Sequence, residues 1–228
     1  MKLLELNEEN FHSLLAQHDE DGGNQVNDGL TKLFNSLADE NNYYEVAIKV
    51  AALNSIYSTA IQYIYPVVDK ICSEISNEHS NYEINNYVEL IDKISTVQWI
   101  SKKNGKEIIR CNLSFSSKYV HFLSQRIIPI YDSYIWLVMI GYLNQHGAKN
   151  YSYSPPNNYE DFYSIFIHFK ETYNLNSYSN YEIDKYLWQY GKTLIIGIIE
   201  SEGVSMDKAK TELKKRITSA LNGTKTVG

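Results

Sequence analysis

Lys118 and Asp132 are the two residues of this chain whose types and spacing indicate chemistry. Lys118 lies within the segment SFSSKYVHFL, among small and aromatic residues, and Asp132 follows fourteen positions later, after Pro129. A lysine amine can act as a nucleophile and form a Schiff base, and a nearby carboxylate can accept a proton or stabilise positive charge. Such a pair supplies the groups that are needed to attack a sugar carbon.

The elements that would position this pair are two helices joined by a tight return. The aromatic residues around Lys118 recur at helical spacing, namely Phe115, Tyr119 and Phe122. Pro129 ends the first helix, because proline cannot donate a backbone hydrogen bond and pushes its predecessor away from helical geometry. Asp132 then precedes the apolar run of residues 134–139, which is where an N-cap residue belongs.

Both residues also have a purely structural explanation. A lysine on an amphipathic helix is usually solvated, or extends its charged end to water along apolar surface. An aspartate before an apolar run is usually only the cap of a helix. Residue type and spacing therefore leave the catalytic and the structural interpretations open.

The segment SFSSKYVHFL, followed by PIYDSYIW, resembles the catalytic region of the 8-oxoguanine DNA glycosylase fold, within the helix-hairpin-helix glycosylase superfamily. Residues 183–192 (IDKYLWQYGK) are similar to a C-terminal segment of small bacterial proteins classed with this fold, and residues 51–59 are a third similar stretch. The resemblance implies that Lys118 attacks the anomeric carbon of a damaged or modified nucleotide in duplex DNA, with help from Asp132. The resulting Schiff base would permit strand cleavage, so the implied activity is that of a DNA glycosylase with lyase activity in base-excision repair.

A glycosylase of this kind must extrude its base from the duplex, and the base then needs an aromatic pocket with a few polar groups. Trp136, Trp188 and Tyr134 are the candidate walls of this pocket, and Gln189 is the candidate reader of the base edge. Lys118 must be neutral to attack, so we expect its aromatic surroundings to lower its pKa by desolvation.

The chain departs from the family pattern in two places, and these departures favour a second hypothesis. The family carries a Gly-rich turn just before the lysine, whereas this chain has residues 112–117 (NLSFSS), and the spacing from Lys118 to Asp132 is shorter. The alternative function is therefore a non-catalytic interaction protein, or a phage-defence component, that keeps the glycosylase fold.

The charge of the chain is acidic overall but basic beside Lys118. The formal net charge is −6, which argues against a protein dedicated to nucleic acid, since such proteins usually show a basic face. Residues 98–126, however, contain six basic residues against one acid, Glu107. The predicted DNA-contacting residues are Lys102, Lys103, Lys106, Arg110 and Arg126, together with His121. A solvated loop tip around residues 102–106 is the competing explanation.

The predicted fold is an all-α, multi-helix single domain of eight to ten helices, with a helix-hairpin-helix-like element of the glycosylase type. Two lobes, residues 1–100 and 101–228, are a possible subdivision. A loop is expected at residues 19–29 and a strand is possible at residues 107–113. The predicted helices include residues 44–65, 87–100, 161–173, 181–200 and 205–221.

We expect no metal or cofactor, because the six histidines and two cysteines show no metal-ligand spacing and too few thiolates for an iron–sulfur cluster. No apolar run is long enough to span a bilayer, and the N-terminal residues contain no signal-peptide core. A cytoplasmic protein is therefore expected. The sequence leaves the oligomeric state and the identity of the base open.

Overall fold

The structure is a computed structural model that describes residues 1–75, 81–101, 103–147 and 150–224, with side chains as far as residue 219. Within these ranges the chain forms ten helices and one two-stranded antiparallel hairpin, so the prediction of a predominantly helical fold is confirmed. In chain order the elements are α1 (Glu8–Glu20), α2 (Gly23–Ser36), α3 (Tyr43–Tyr57), α4 (Tyr65–Glu74), α5 (Ile84–Ser95), β1 (Thr96–Ile100), β2 (Glu107–Cys111), α6 (Leu113–Leu123), α7 (Ser133–His146), α8 (Tyr159–Thr172), α9 (Asn180–Glu202) and α10 (Met206–Thr224).

The chain divides into two compact units. We call the first the terminal unit, which contains Met1–Gly23, Asp132–Pro155 and the residues from Ile165 onward. The second, the central unit, contains Asn24–Tyr131 and Pro156–Ser164. Each unit includes residues from both sides of position 100, and the division into lobes at that position stays a prediction.

The terminal unit is built around α9, which packs against α1, α7 and α10. Gly191 allows a close approach to α7, because a Cβ atom at this position would lie 2.9 Å from Tyr134 Cβ. In the core of this unit the hydroxyls of Tyr142 and Tyr186 share a hydrogen bond of 2.6 Å, so these buried polar groups satisfy each other.

The central unit is built around α6, which packs against α5 and α3. Ten of its eleven residues, all but Ser114, are buried. The helix ends after Leu123, where Gln125 and Arg126 adopt positive φ and the Arg126 N–H donates to the His121 carbonyl at 2.7 Å. The predicted helix around Lys118 is therefore confirmed, and it ends some residues before Pro129.

A buried ion pair links α6 to α3 inside the central unit. Lys49 and Glu40 are both almost wholly buried, and the Lys49 amine donates to the Glu40 carboxylate and to the Leu37 carbonyl. The Tyr119 hydroxyl donates to the second Glu40 oxygen at 2.5 Å. Burial, followed by the Glu40 carboxylate, raises the pKa of the Tyr119 phenol well above its usual value. Each charged or polar atom in this network therefore has a partner that replaces water.

The hairpin corrects one predicted helix and confirms one predicted strand. The helix expected over residues 87–100 ends at Ser95, and residues 96–100 form β1. The sequence TVQWI alternates, with Val97 buried and Thr96, Gln98 and Ile100 exposed, which suits a half-covered strand. The possible strand at residues 107–113 is confirmed as β2 over Glu107–Cys111, whereas Leu113 already begins α6. The expected turn before β2 is closed by the Ser101 N–H, which donates to the Lys106 carbonyl at 2.8 Å.

The helix predicted over residues 44–65 stops at Tyr57. Ser58 adopts the left-handed conformation, with φ of 48°. The Asn54 side chain then holds the following loop, since its oxygen accepts from the Ile61 N–H at 3.0 Å and its nitrogen donates to the Ile61 carbonyl at 2.9 Å. A side chain that satisfies loop backbone in this way competes with continuation of the helix.

The loop predicted over residues 19–29 is also wrong, because α2 begins at Gly23. Asn27, Leu30 and Phe34 are buried at helical spacing and form the inner face of α2. A Cβ atom at Gly23 would lie 2.1 Å from the His18 ring, so glycine at this position permits close packing rather than marking a loop.

We expect the substitution Glu40→Ala to destabilise the protein by about 3–5 kcal/mol, because it leaves the Lys49 ammonium buried without its carboxylate. Urea unfolding followed by circular dichroism measures this loss. The matched control is Glu89→Ala, which breaks an exposed ion pair with Lys93 and should cost less than about 1 kcal/mol. Equal losses for the two variants would contradict a structural role for the buried pair.

We also expect His121 to make stability depend on pH. Burial lowers its pKa from 6.5 to about 4, and its Nδ1–H donates to the Ile128 carbonyl at 2.6 Å. As pH falls from 6.5 to about 4, the unfolded chain takes up a proton that the folded chain does not. The free energy of unfolding should therefore drop by up to about 3 kcal/mol across this window from this group alone.

The comparison for this prediction is His121→Asn, whose amide can still donate to the Ile128 carbonyl but does not titrate. Urea unfolding at several pH values should show a flatter dependence in the variant between pH 6.5 and 4. Identical pH dependence in the two proteins would show that His121 does not titrate as its burial requires.

Candidate functional site

The site begins with the position of Lys118 on α6. The Asn112 N–H donates to the Ser95 carbonyl at 2.7 Å, which fixes the start of α6 against the end of α5. The Ser116 N–H then donates to the Asn112 carbonyl at 2.9 Å, as the first turn of a helix requires. Residues 112–117 (NLSFSS) thus form the N-cap and the first turn of α6.

The Lys118 side chain is only 3% exposed, and the contacts of its amine include Ser114 and an aromatic ring. Its Nζ donates to the Ser114 hydroxyl at 2.7 Å and lies 3.4 Å from the Ser114 carbonyl. The amine also lies 5.4 Å from the centre of the Tyr57 ring, and the Tyr57 hydroxyl donates to Asn27 Oδ1 at 2.8 Å. The amine is therefore directed toward Ser114, the half-exposed residue of α6.

Ser117 connects α6 to the segment that leads to Asp132. Its hydroxyl donates to the Ser114 carbonyl at 3.0 Å and to the Tyr131 carbonyl at 3.4 Å, and it accepts from the Tyr131 N–H at 3.0 Å. The Tyr131 ring contacts Phe162 edge-on, with 5.3 Å between centroids. The path of residues 129–131 beside the Lys118 helix is thus fixed by hydrogen bonds and ring packing.

Asp132 is the N-cap of α7, which confirms the predicted cap. Its backbone is extended, and its carboxylate accepts from the Tyr134 N–H at 2.8 Å. Burial raises the pKa of the Tyr134 hydroxyl, and the negative charge of Asp132 raises it further. Asp132 belongs to the terminal unit and Lys118 to the central unit.

The predicted DNA-contacting residues fall into three groups. Lys103, Lys106 and Arg110 are exposed on the hairpin, and Lys102 lies outside the described residues. Arg126 is bound within the central unit, where it donates to Asp28 at 2.7 Å and to the Thr31 hydroxyl. The His121 ring is fully buried, and this burial does not favour the predicted contact with phosphate.

The predicted base-pocket residues lie on two helices of the terminal unit, α7 and α9. Trp136 is buried in α7, and its indole Nε1–H donates to the Ser154 carbonyl at 2.9 Å. Trp188 and Gln189 lie on α9, where the Trp188 ring contacts the His18 ring edge-on at 5.8 Å. Their role as base-contacting residues stays a prediction.

A polar cluster between α1 and α9 surrounds Trp188 and Gln189 and was not predicted. Lys185 donates to Asp19 at 2.8 Å, and Lys192 donates to Asp21 at 2.8 Å. The Gln189 amide donates to the same Asp21 oxygen at 3.2 Å, and its buried carbonyl oxygen has no hydrogen-bond partner among the described residues. The sequence signal for this cluster was the spacing of Lys185 and Lys192, because two residues seven positions apart lie on the same face of a helix.

Burial, the largest effect, lowers the pKa of His18, and the neighbouring Lys185 and Lys192 lower it further, against a hydrogen bond with Asp19. This histidine is therefore neutral near pH 7. Among the described residues, no group of three or more His, Cys, Asp or Glu side chains is arranged to hold a metal ion.

In the part of the chain that the structure describes, no helix is both long enough and apolar enough to cross a bilayer.

Comparison with known proteins identifies a family for the chain. A family model described as HI_0787_N, N-terminal domain, matches residues 10–127, just over half of the 228 residues. No curated protein and no solved structure matches the chain. The matched residues run from α1 through α6 and include Lys118 and the basic hairpin. The chain therefore belongs to the HI_0787_N family.

Proposed function

We propose that this protein is a DNA glycosylase with lyase activity, which acts on a damaged or modified base of duplex DNA through a Schiff base on Lys118. The observation that carries this proposal is the setting of the Lys118 amine. It is almost fully removed from water, and it rests against the Ser114 hydroxyl and the Tyr57 ring. An amine must be neutral to attack carbon, and burial is the general means by which a protein favours the neutral form of a lysine.

Two opposing effects act on the protonation of this amine. The Tyr57 ring face attracts a cation, an effect of about 0.5–2 kcal/mol. Burial acts in the opposite direction, because an ammonium that leaves water loses its hydration. The Ser114 hydroxyl can accept a hydrogen bond from the amine or donate one to its lone pair, so it fits both protonation states.

In the proposed reaction the base first leaves the duplex stack, because the glycosidic bond is inaccessible inside the helix. The Lys118 nitrogen forms a bond to the anomeric carbon while the bond to the base breaks, and the base departs with the electron pair. Transfer of the amine proton to the ring oxygen opens the sugar and gives an imine. Removal of a proton from the neighbouring carbon then expels the 3′ phosphate with its electron pair, which breaks the strand. We assign Asp132 the role of stabilising positive charge on the sugar, on the basis of the resemblance to the DNA glycosylase fold.

The same resemblance supports the finer proposal that the chain has a glycosylase-like fold with a helix-hairpin-helix-like element. Residues 112–117 (NLSFSS) form the first turn of α6. Other groups must therefore make the phosphate contact that a Gly-rich turn makes in the glycosylase family. The exposed Lys103, Lys106 and Arg110 on the hairpin that precedes α6 provide positive charge for this purpose.

The second candidate function is a non-catalytic interaction or phage-defence protein. The net charge of −6 and the neutralisation of Arg126 by Asp28 favour it, because they reduce the positive field available for DNA. The experiments below separate it from the glycosylase, since only the glycosylase forms a covalent adduct through Lys118.

We expect borohydride to trap a covalent complex between the protein and duplex DNA that carries a damaged or abasic site. The variants Lys118→Gln and Lys118→Arg should abolish trapping, because neither side chain can form an imine. Denaturing gel electrophoresis across a panel of lesions measures the adduct. The matched control is Lys208→Gln on α10, which removes an exposed lysine away from the hairpin and should trap as well as wild type.

Asp132→Asn separates chemistry from helix capping in the same assay. Asparagine caps a helix about as well as aspartate, so the variant should keep its thermal stability while releasing the base more slowly. Absence of trapping by wild type over the whole panel, or trapping by Lys118→Gln, would reject Lys118 as the nucleophile and leave the interaction-protein hypothesis.

We expect DNA binding to depend on salt and on the hairpin lysines. Reversing both charges with Lys103→Glu and Lys106→Glu should weaken binding to all sequences alike, and should reduce the slope of log affinity against log salt by about 2, since each phosphate contact contributes about 0.9. Fluorescence anisotropy with labelled duplex measures both quantities. The control is the pair Lys208→Glu and Lys215→Glu on α10, which makes the same change in net charge. Equal losses in the two double variants would show that only total charge matters.

A further inference from the structure

The central unit contains an open pocket of about 520 Å³ on the outer face of α3. One wall is formed by α3 residues, and the other by the segment that returns after the helix ends. The residues that define it are Tyr44, Ile48, Ala51, Gln62, Tyr63 and Tyr65. We call this the tyrosine pocket, and its volume lies in the range of small-molecule sites.

The pocket exists because α3 is apolar on two opposite faces. Val46, Val50 and Leu53 face the core and are fully buried. Tyr44, Ile48 and Ala51 follow the spacing of the opposite face, where Tyr44 is 79% exposed and Ile48 is 50% exposed. A surface helix normally carries polar residues on its outer face, so this second apolar stripe is unexplained by folding alone.

The opposite wall brings further aromatic rings to this stripe. The left-handed turn at Ser58 and the hydrogen bonds of Asn54 to Ile61 fold the chain back along α3. Tyr63 then lies 5.7 Å from Tyr65, with the two rings nearly perpendicular at 80°. Trp99 of β1 supports Tyr63 from 6.1 Å. Aromatic rings at steep angles to one another offer both ring faces and ring edges to a small ligand.

The electrostatic character of the pocket favours a cation. Its lining residues are uncharged, and Asp69 lies one turn after Tyr65 on the same face of α4. Burial raises the pKa of the neighbouring Tyr43 hydroxyl. The negative charge of Asp69 raises it further, as expected for a phenol close to a carboxylate. Lys49, by contrast, extends into the core toward Glu40, and Lys70 is paired with Glu74 at 2.6 Å. Aromatic ring faces are themselves negative, so they add to this field.

We propose that the tyrosine pocket binds a free small organic cation with a quaternary or alkylated ammonium head group. Such a group combines methyl surface, which packs on tyrosine rings and Ile48, with a diffuse positive charge that ring faces attract. An anion would meet the ring faces and Asp69 unfavourably. This proposal is independent of the glycosylase hypothesis, because Tyr57, which contacts Lys118, lies on the opposite face of α3.

The test uses choline and its neutral isostere, in which carbon replaces the quaternary nitrogen. Aromatic chemical shifts of the full chain are followed by NMR while each compound is added. The pocket is open, so we expect choline to bind with a dissociation constant on the order of 1 mM, and the isostere to bind at least about tenfold more weakly.

Variants locate the binding and separate its causes. Tyr44→Ala removes a ring that is largely exposed, so the fold is preserved, and it should weaken choline binding severalfold. Tyr63→Leu should weaken it more, whereas Tyr63→Phe keeps the ring face and should bind within about twofold of wild type. Asp69→Asn should reduce the preference for choline over its isostere. Lys118→Gln should bind choline unchanged.

The proposal is overturned if choline and the isostere bind equally, since the pocket would then be merely apolar. It is also overturned if no tyrosine resonance shifts at about fifty times the expected dissociation constant. Co-sedimentation of the protein with phosphatidylcholine vesicles, reversed by Tyr44→Ala, would reject a free ligand in favour of a lipid head group.

Discussion

The burial of α6 is the constraint on which the central unit depends. In a helix with ten of its eleven residues buried, polar side chains lose their contact with water and need hydrogen-bond partners within the protein. Ser117 does so through backbone groups of Ser114 and Tyr131, and His121 does so through the Ile128 carbonyl. These bonds fix the return after α6, so the same residues that make the helix burial possible also direct the chain toward Asp132.

The sequence predicted the helices best where one apolar face alternates with one polar face, as in α8, α9 and α10. It was wrong where tertiary structure decides the outcome. The residues TVQWI fit either period over five positions, and only the pairing with β2 makes them a strand. The end of α3 depends on Asn54 bonding a loop that lies beyond the helix. The start of α8 is capped by Asp92 of α5, which accepts from the Tyr159 N–H at 2.6 Å. A cap that is supplied by another helix cannot be recognised from the residues next to the capped helix.

The candidate site also has some features that local sequence predicts and others that only tertiary structure decides. The helix that carries Lys118 and the capping role of Asp132 could be predicted, because both follow from local periodicity and a polar residue before an apolar run. The burial of His121 and the pairing of Arg126 with Asp28 could not, since their partners are either hidden by the fold or 98 positions away. The basic stretch near Lys118 therefore carries less free positive charge than its sequence indicates, and the exposed part of that charge lies on the hairpin.

Lys49 and Lys118 show two ways of burying a lysine within one unit. Lys49 is bound to the Glu40 carboxylate, so each buried charge has its counter-charge as a direct partner. Lys118 donates to a hydroxyl and a carbonyl of Ser114 and lies over the Tyr57 ring. The Lys118 amine is directed toward the half-exposed turn of α6, and this arrangement is the one that the proposed nucleophilic role requires.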